Sequence, residues 1–121
     1  MDGIRSADFI ITVRAMNNSR VATFQNAAHA ITGNATLQVN STGALELVFS
    51  DDFSVDNGPG LEVFLSKGQV PDQTSANLGS LKSINGQQTC TVPSNVMIDD
   101  FDWIVVHCVP YNVVFGRGQL P

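Results

Sequence analysis

What most constrains this chain is a strict alternation of apolar and polar residues, cut at short intervals by turn signals. Ala35, Leu37 and Val39 alternate with Thr36, Gln38 and Asn40. After the turn at Ser41, Thr42 and Gly43, the run Ala44 to Phe49 sets Leu45, Leu47 and Phe49 on one face. Leu61, Val63 and Leu65 repeat the pattern. A period of two sends successive side chains to opposite faces of an extended backbone, so each run reads as a strand with one buried face. Further strands are expected at Phe9 to Ala15, Val21 to Phe24, Gln87 to Val92, Trp103 to Val109 and Asn112 to Phe115. Asn57-Gly58-Pro59-Gly60, Asn85-Gly86, Pro93 and Pro110 separate them. Short strands at this spacing predict one all-β domain, an antiparallel β-sandwich, with Leu37, Leu47, Phe49, Val63, Leu65, Val106 and Val113 in its core. Alanines cluster between Ala22 and Ile31, where a helix competes with a strand reading of Val21, Thr23 and Phe24. Ser66 to Ser80, rich in Gly, Gln, Ser and Asn, reads as a surface loop.

A length of 121 residues fits a single domain, here spanning 1–121. Charged residues are 14% of the chain, against about 25% in an ordinary soluble domain. The surface is therefore polar through Ser, Thr, Asn, Gln and Gly. Six Lys and Arg are scattered from Arg5 to Arg117, and the formal net charge is −5. Without a basic stripe there is nothing to neutralise phosphates, which argues against nucleic acid and against an anionic membrane surface. No apolar run approaches the roughly 18 residues of a membrane span. Met1 to Ile11 holds one short apolar run and no charged-then-apolar leader pattern. Two readings stay open: a cytoplasmic chain, or one whose leader Met1 has replaced.

Enzyme signatures are missing. The sequence holds no GxSxG, no phosphate-binding loop, no dinucleotide fingerprint and no HExxH. Asp51, Asp52 and Asp56 are the candidate metal ligands, and counted from Asp52 oxygen side chains fall at positions one, three and five of a calcium loop. Position six is Asn57 where that loop needs glycine, and position twelve is Val63 where it needs a bidentate Glu. The expectation is a solvated turn whose carboxylates cap nearby backbone N–H groups. Asp99, Asp100 and Asp102 read the same way. Asn17, Asn34 and Asn40 each begin a glycosylation triplet, but chance supplies one or two in a chain this rich in Asn, Ser and Thr.

The C-terminal strand is more informative. Alternation separates Trp103, Val105 and His107 from Ile104, Val106 and Cys108. Cys108 is expected to be buried beside aliphatic residues, with His107 on the other face, so the two neighbours cannot share one metal. A metal or haem on Cys108 would need a ligand from elsewhere, and His29 is the other histidine. A buried free cysteine otherwise serves as a small core hydrophobe.

Six fragments, in order, resemble a known family. They are Val21-Ala22-Thr23-Phe24; His29 to Gly33; Leu45-Glu46-Leu47-Val48-Phe49-Ser50-Asp51-Asp52-Phe53; Gly58-Pro59-Gly60-Leu61-Glu62-Val63-Phe64-Leu65-Ser66; Leu78 to Gln88; and Val105-Val106-His107-Cys108 through Phe115-Gly116. Their order and spacing, over about Val21 to Leu120, resemble the DM-thirteen domain. That resemblance implies an extracellular or cell-surface module that accompanies DOMON domains and serves electron transfer. It implies a family cysteine at Cys108, acting bare or holding a prosthetic group such as haem, and an unknown redox or extracellular protein partner. The chain departs from the family pattern at Cys90, where an aromatic residue usually follows the Gly-x-Gln turn. Cys90 thus joins Cys108 as a redox candidate. A bridge between them would close a loop of about 18 residues and stabilise by roughly 3 kcal/mol. Bridge geometry is demanding, and two free thiols are the expectation. Three functions compete: a redox or electron-transfer module centred on Cys108, a non-catalytic binding or adhesion module using loops such as Asp51 to Gly60, and an unrecognised enzyme.

Overall fold

The computed structural model of the chain describes residues 19–121, and within them every regular element is a strand. The expected strand at Phe9 to Ala15 lies outside the described residues. Ten strands follow one another: β1 (Ser19–Asn26), β2 (Ile31–Thr32), β3 (Asn34–Val39), β4 (Leu45–Phe49), β5 (Ser54–Val55), β6 (Leu61–Ser66), β7 (Ala76–Ser80), β8 (Gln88–Thr91), β9 (Trp103–Cys108) and β10 (Val113–Gln119). Eight form a continuous antiparallel sheet in the order β7-β6-β9-β10-β1-β3-β4-β8, and β2 pairs with β5. The expected all-β antiparallel class is what the chain adopts.

β1 turns the corner of this sheet. Its first part, Ser19 to Thr23, pairs with β3, and Phe24 to Asn26 pair with β10. The sheet curls until its ends nearly meet. There Gln88, at the start of β8, reaches the segment that follows β7. Its Oε1 accepts from the Lys82 and Ser83 amides at 3.0 and 3.3 Å, and its Nε2 donates to the Ser83 carbonyl at 2.7 Å. The Lys82 ammonium donates to the Thr89 carbonyl across the same gap. Side chains thus supply the hydrogen bonds that a strand ladder would otherwise make.

The core follows from the alternation. Leu37, Leu47, Phe49, Val63, Leu65 and Val106 are all buried, while Val113 packs against the core only half-buried. Phe24, Phe49 and Phe53 meet in one three-ring contact, with centroids 4.7 to 5.6 Å apart. Gln88, Cys90 and Val92 face inward together, as their spacing predicts.

One open alternative is decided for the expected strand, and two expectations are corrected. The alanine-rich stretch carries strand β1 rather than a helix, because Ala22 and Phe24 point into the core while Val21 and Thr23 point out. Ser66 to Ser80 is not all loop: Ala76 to Ser80 form edge strand β7 on β6. Its apolar residues are just Ala76 and Leu78, both half-buried, too short an alternation to mark a strand. β10 runs on to Gln119, beyond its expected end at Phe115. Glycine usually signals a break, but Gly116 is demanded by packing: a Cβ there would lie 2.4 Å from Ile31 Cγ2.

Candidate functional site

Cys108 ends β9, where its register partners are Leu61 on β6 and Val113 on β10. The side chain points inward with Ile104 and Val106 and is 1% exposed. The next amide, Val109 N–H, donates to the Gly60 carbonyl at 3.1 Å, which seats the 56–60 loop over the strand end. That places the Pro59 carbonyl 3.0 Å from the Cys108 sulfur, whose S–H donates to it. Gly58 lies under the ring of Phe115, where a Cβ would come within 2.5 Å of Cζ. Only glycine lets the loop lie this close.

A bulge builds the opposite wall. The β9–β10 register slips between Val114 and Gly116, leaving Phe115 as the extra residue. Its carbonyl accepts from the Ala27 and His29 amides at 3.2 and 3.1 Å, so the β1–β2 loop is clamped onto the bulge. The His29 ring stacks on Phe115, centroids 3.8 Å apart. His29 Nδ1 lies 3.2 Å from Asp56 Oδ2, which leaves Nε2 as the free ring nitrogen when Nδ1 donates. Between these walls is an open groove of ≈ 310 Å³ at Cys108, lined also by Asn57, Tyr111 and Val113. Sulfur and imidazole, from segments far apart in sequence, therefore line one groove, with the Asp56 carboxylate holding the imidazole.

Cys90 is elsewhere. It sits on β8, across from Leu47 on β4, and both cysteines are free and buried thiols. Burial pushes the Cys90 thiol above its ordinary range, with Lys82 pulling weakly the other way. The Cys108 groove does not include it.

The acidic turn divides. Asp52 Oδ1 accepts from the Ser50 hydroxyl at 2.5 Å, and Asp56 Oδ2 accepts from the Ala30 amide at 3.3 Å. Asp52 thus caps a hydroxyl of its own turn, Asp56 a backbone amide of the β1–β2 loop, and Asp51 is exposed. Among the described residues, no three His, Cys, Asp or Glu side chains gather to hold a metal ion. A haem does not fit the groove either. An axial ligand needs an open path to the iron, but the Cys108 sulfur is covered and bonded to Pro59, and His29 is held between Phe115 and Asp56.

Sequence reasoning singled out Cys108 and His29 but not Pro59, Tyr111, Val113 or Phe115. The Asn57-Gly58-Pro59-Gly60 breaker marked a turn, without any sign of what it covers. Taken together, these features define a small antiparallel all-β domain with a thiol at the floor of an apolar groove. Residues 23–120 match the family described as Electron transfer DM13, and the chain belongs to that family. Its general role is therefore redox. No curated protein and no solved structure gives a match.

Proposed function

We propose that Cys108 is the redox centre of this electron-transfer domain and that electrons enter and leave through the groove above it. The observation that supports this reading is the placement of Cys108 in a groove that His29 also lines, with Asp56 behind the His29 ring. A thiol that supports single-electron transfer loses one electron to an acceptor and its proton to a base, giving a thiyl radical. On return it gains one electron and one proton. His29, oriented by Asp56, is the basic side chain lining the groove and the base nearest to hand for that proton. The proton must first leave its hydrogen bond to the Pro59 carbonyl, 3.0 Å from the sulfur. Cys90, buried and without a groove, has a structural role as a small core residue.

Alkylation of the native protein with iodoacetamide, followed by peptide mapping, tests accessibility. Cys108 is expected to react at least about tenfold faster than Cys90, since opening a groove needs less unfolding than opening the sheet. If both thiols react only after denaturation, Cys108 is an inert core residue and the proposal fails.

A further inference from the structure

On the face of β9 opposite Cys108 lies a polar group that the redox reading does not use. His107 is 6% exposed, packed edge-on against Phe64. Its Nε2 donates to Asn112 Oδ1 at 3.0 Å, while Nδ1 is buried without any partner. A buried unpaired ring nitrogen is destabilising, and an apolar side chain at this strand position would avoid it. The arm that is paired therefore identifies what the residue does.

Asn112 is the one non-glycine residue with positive φ, 52°, among the described residues. It closes the turn between β9 and β10, where its amide donates to the Val109 carbonyl at 3.1 Å. Asn tolerates this left-handed conformation better than most residues, though glycine tolerates it best. Its side chain is the reason for Asn here. On either side of it, Tyr111 and Val113 line the Cys108 groove. Tyr111 is 71% exposed and has no packing of its own to fix the turn. His107 therefore reaches from behind the sheet to hold the residue between two groove-lining side chains.

We infer that His107 is a positioning residue: through Asn112 it latches the β9–β10 turn and so sets the opening of the groove over Cys108. This inference rests on the redox reading for its purpose, but its physical content is the closure of the turn. His107 and Cys108 are neighbours in the chain and face opposite sides of one strand. The register of β9 thus aligns thiol and latch together.

The test uses Cys90 as an internal control in the same molecule. His107→Phe keeps the ring and its contact with Phe64 but removes the donor. Asn112→Gly removes the acceptor while keeping the backbone angle unstrained. Asn112→Asp retains an acceptor oxygen. In both latch-breaking variants iodoacetamide should modify native Cys108 about tenfold faster, with Cys90 unchanged, as expected for local rather than global opening. Asn112→Asp should stay at the wild-type rate. Unchanged Cys108 labelling in both variants would overturn the latch. So would an equal rise at Cys90, which reports general loss of structure, or Asn112→Asp behaving as Asn112→Gly. A Cys108→Ser protein that still transfers electrons would sink the redox reading while leaving the labelling ratios, and hence the latch, intact.

Discussion

Phe49→Ala is expected to lower the unfolding free energy by about 3–5 kcal/mol, the range for deleting a buried aromatic ring. Phe49 is fully buried on β4, and its ring touches those of both Phe24 and Phe53. Those two belong to β1 and to the turn before β5, so the cavity would sit where three parts of the chain join. Neighbouring backbone is fixed by pairing to β3 and β8 and can collapse little into the void. Small domains are stable by only about 5–15 kcal/mol, so this one change removes a large share. Urea unfolding should show a lower midpoint with an unchanged slope. Phe49→Leu should fall between, because it leaves a smaller cavity. A loss below about 1 kcal/mol for Phe49→Ala would mean that the three-ring contact is not central to the core.

Arg20→Ala is expected to be the costliest change to a charged side chain among the described residues, at about 2–3 kcal/mol. Its guanidinium donates to the carbonyls of Ile98, Phe101 and Leu120 at 2.9, 2.7 and 3.2 Å. Asp102 lies 3.6 Å away but is mostly exposed, so the carbonyl bonds dominate. One side chain of β1 thereby ties down the long connection into β9 and the chain after β10. Truncation leaves several partly buried carbonyls unpaired. Arg20→Lys should recover only a minor part, since an ammonium lacks the planar fork that serves several acceptors. Thermal unfolding should show a melting temperature lower by roughly 10 °C for Arg20→Ala. A shift within about 2 °C would show that water replaces the guanidinium at little cost.

Where one face of a strand meets the core, the sequence states the fold openly. β3, β4 and β6 are legible because Leu37, Leu47, Phe49, Val63 and Leu65 recur at every second position. β9 is legible as a strand, though both its faces are buried, with Val105 and His107 covered on the outer side. β7 escapes notice because this edge strand offers just two alternating apolar residues, Ala76 and Leu78, and both stay half-buried. β2 and β5, two residues each, are held by their mutual pairing and, for β5, by a bridge from Ser54 to Asn85. The end of β10 is hidden by Gly116 and Gly118, which normally signal turns and here admit Ile31 and β1.

The site was half legible. Cys108 could be placed on an inward face from alternation alone. Its sharing of one groove with His29 depends on the β10 bulge and on the Gly60 carbonyl, both products of register rather than composition. The role of His107 was legible only as a negative: its opposite facing excludes a shared metal with Cys108. The turn it latches appears only once Asn112 is seen at positive φ.

The central claim is that Cys108 carries the electron. Its most direct measurement is the stopped-flow reduction of a one-electron acceptor such as ferricyanide by the reduced native protein, followed at the acceptor's own absorbance. Wild type and Cys90→Ser are expected to reduce it at matching rates, with Cys108→Ser slower by at least about a hundredfold, the effect of deleting the only group that gives up the electron. If Cys108→Ser reduces the acceptor at the wild-type rate, the electron resides elsewhere and the account is contradicted.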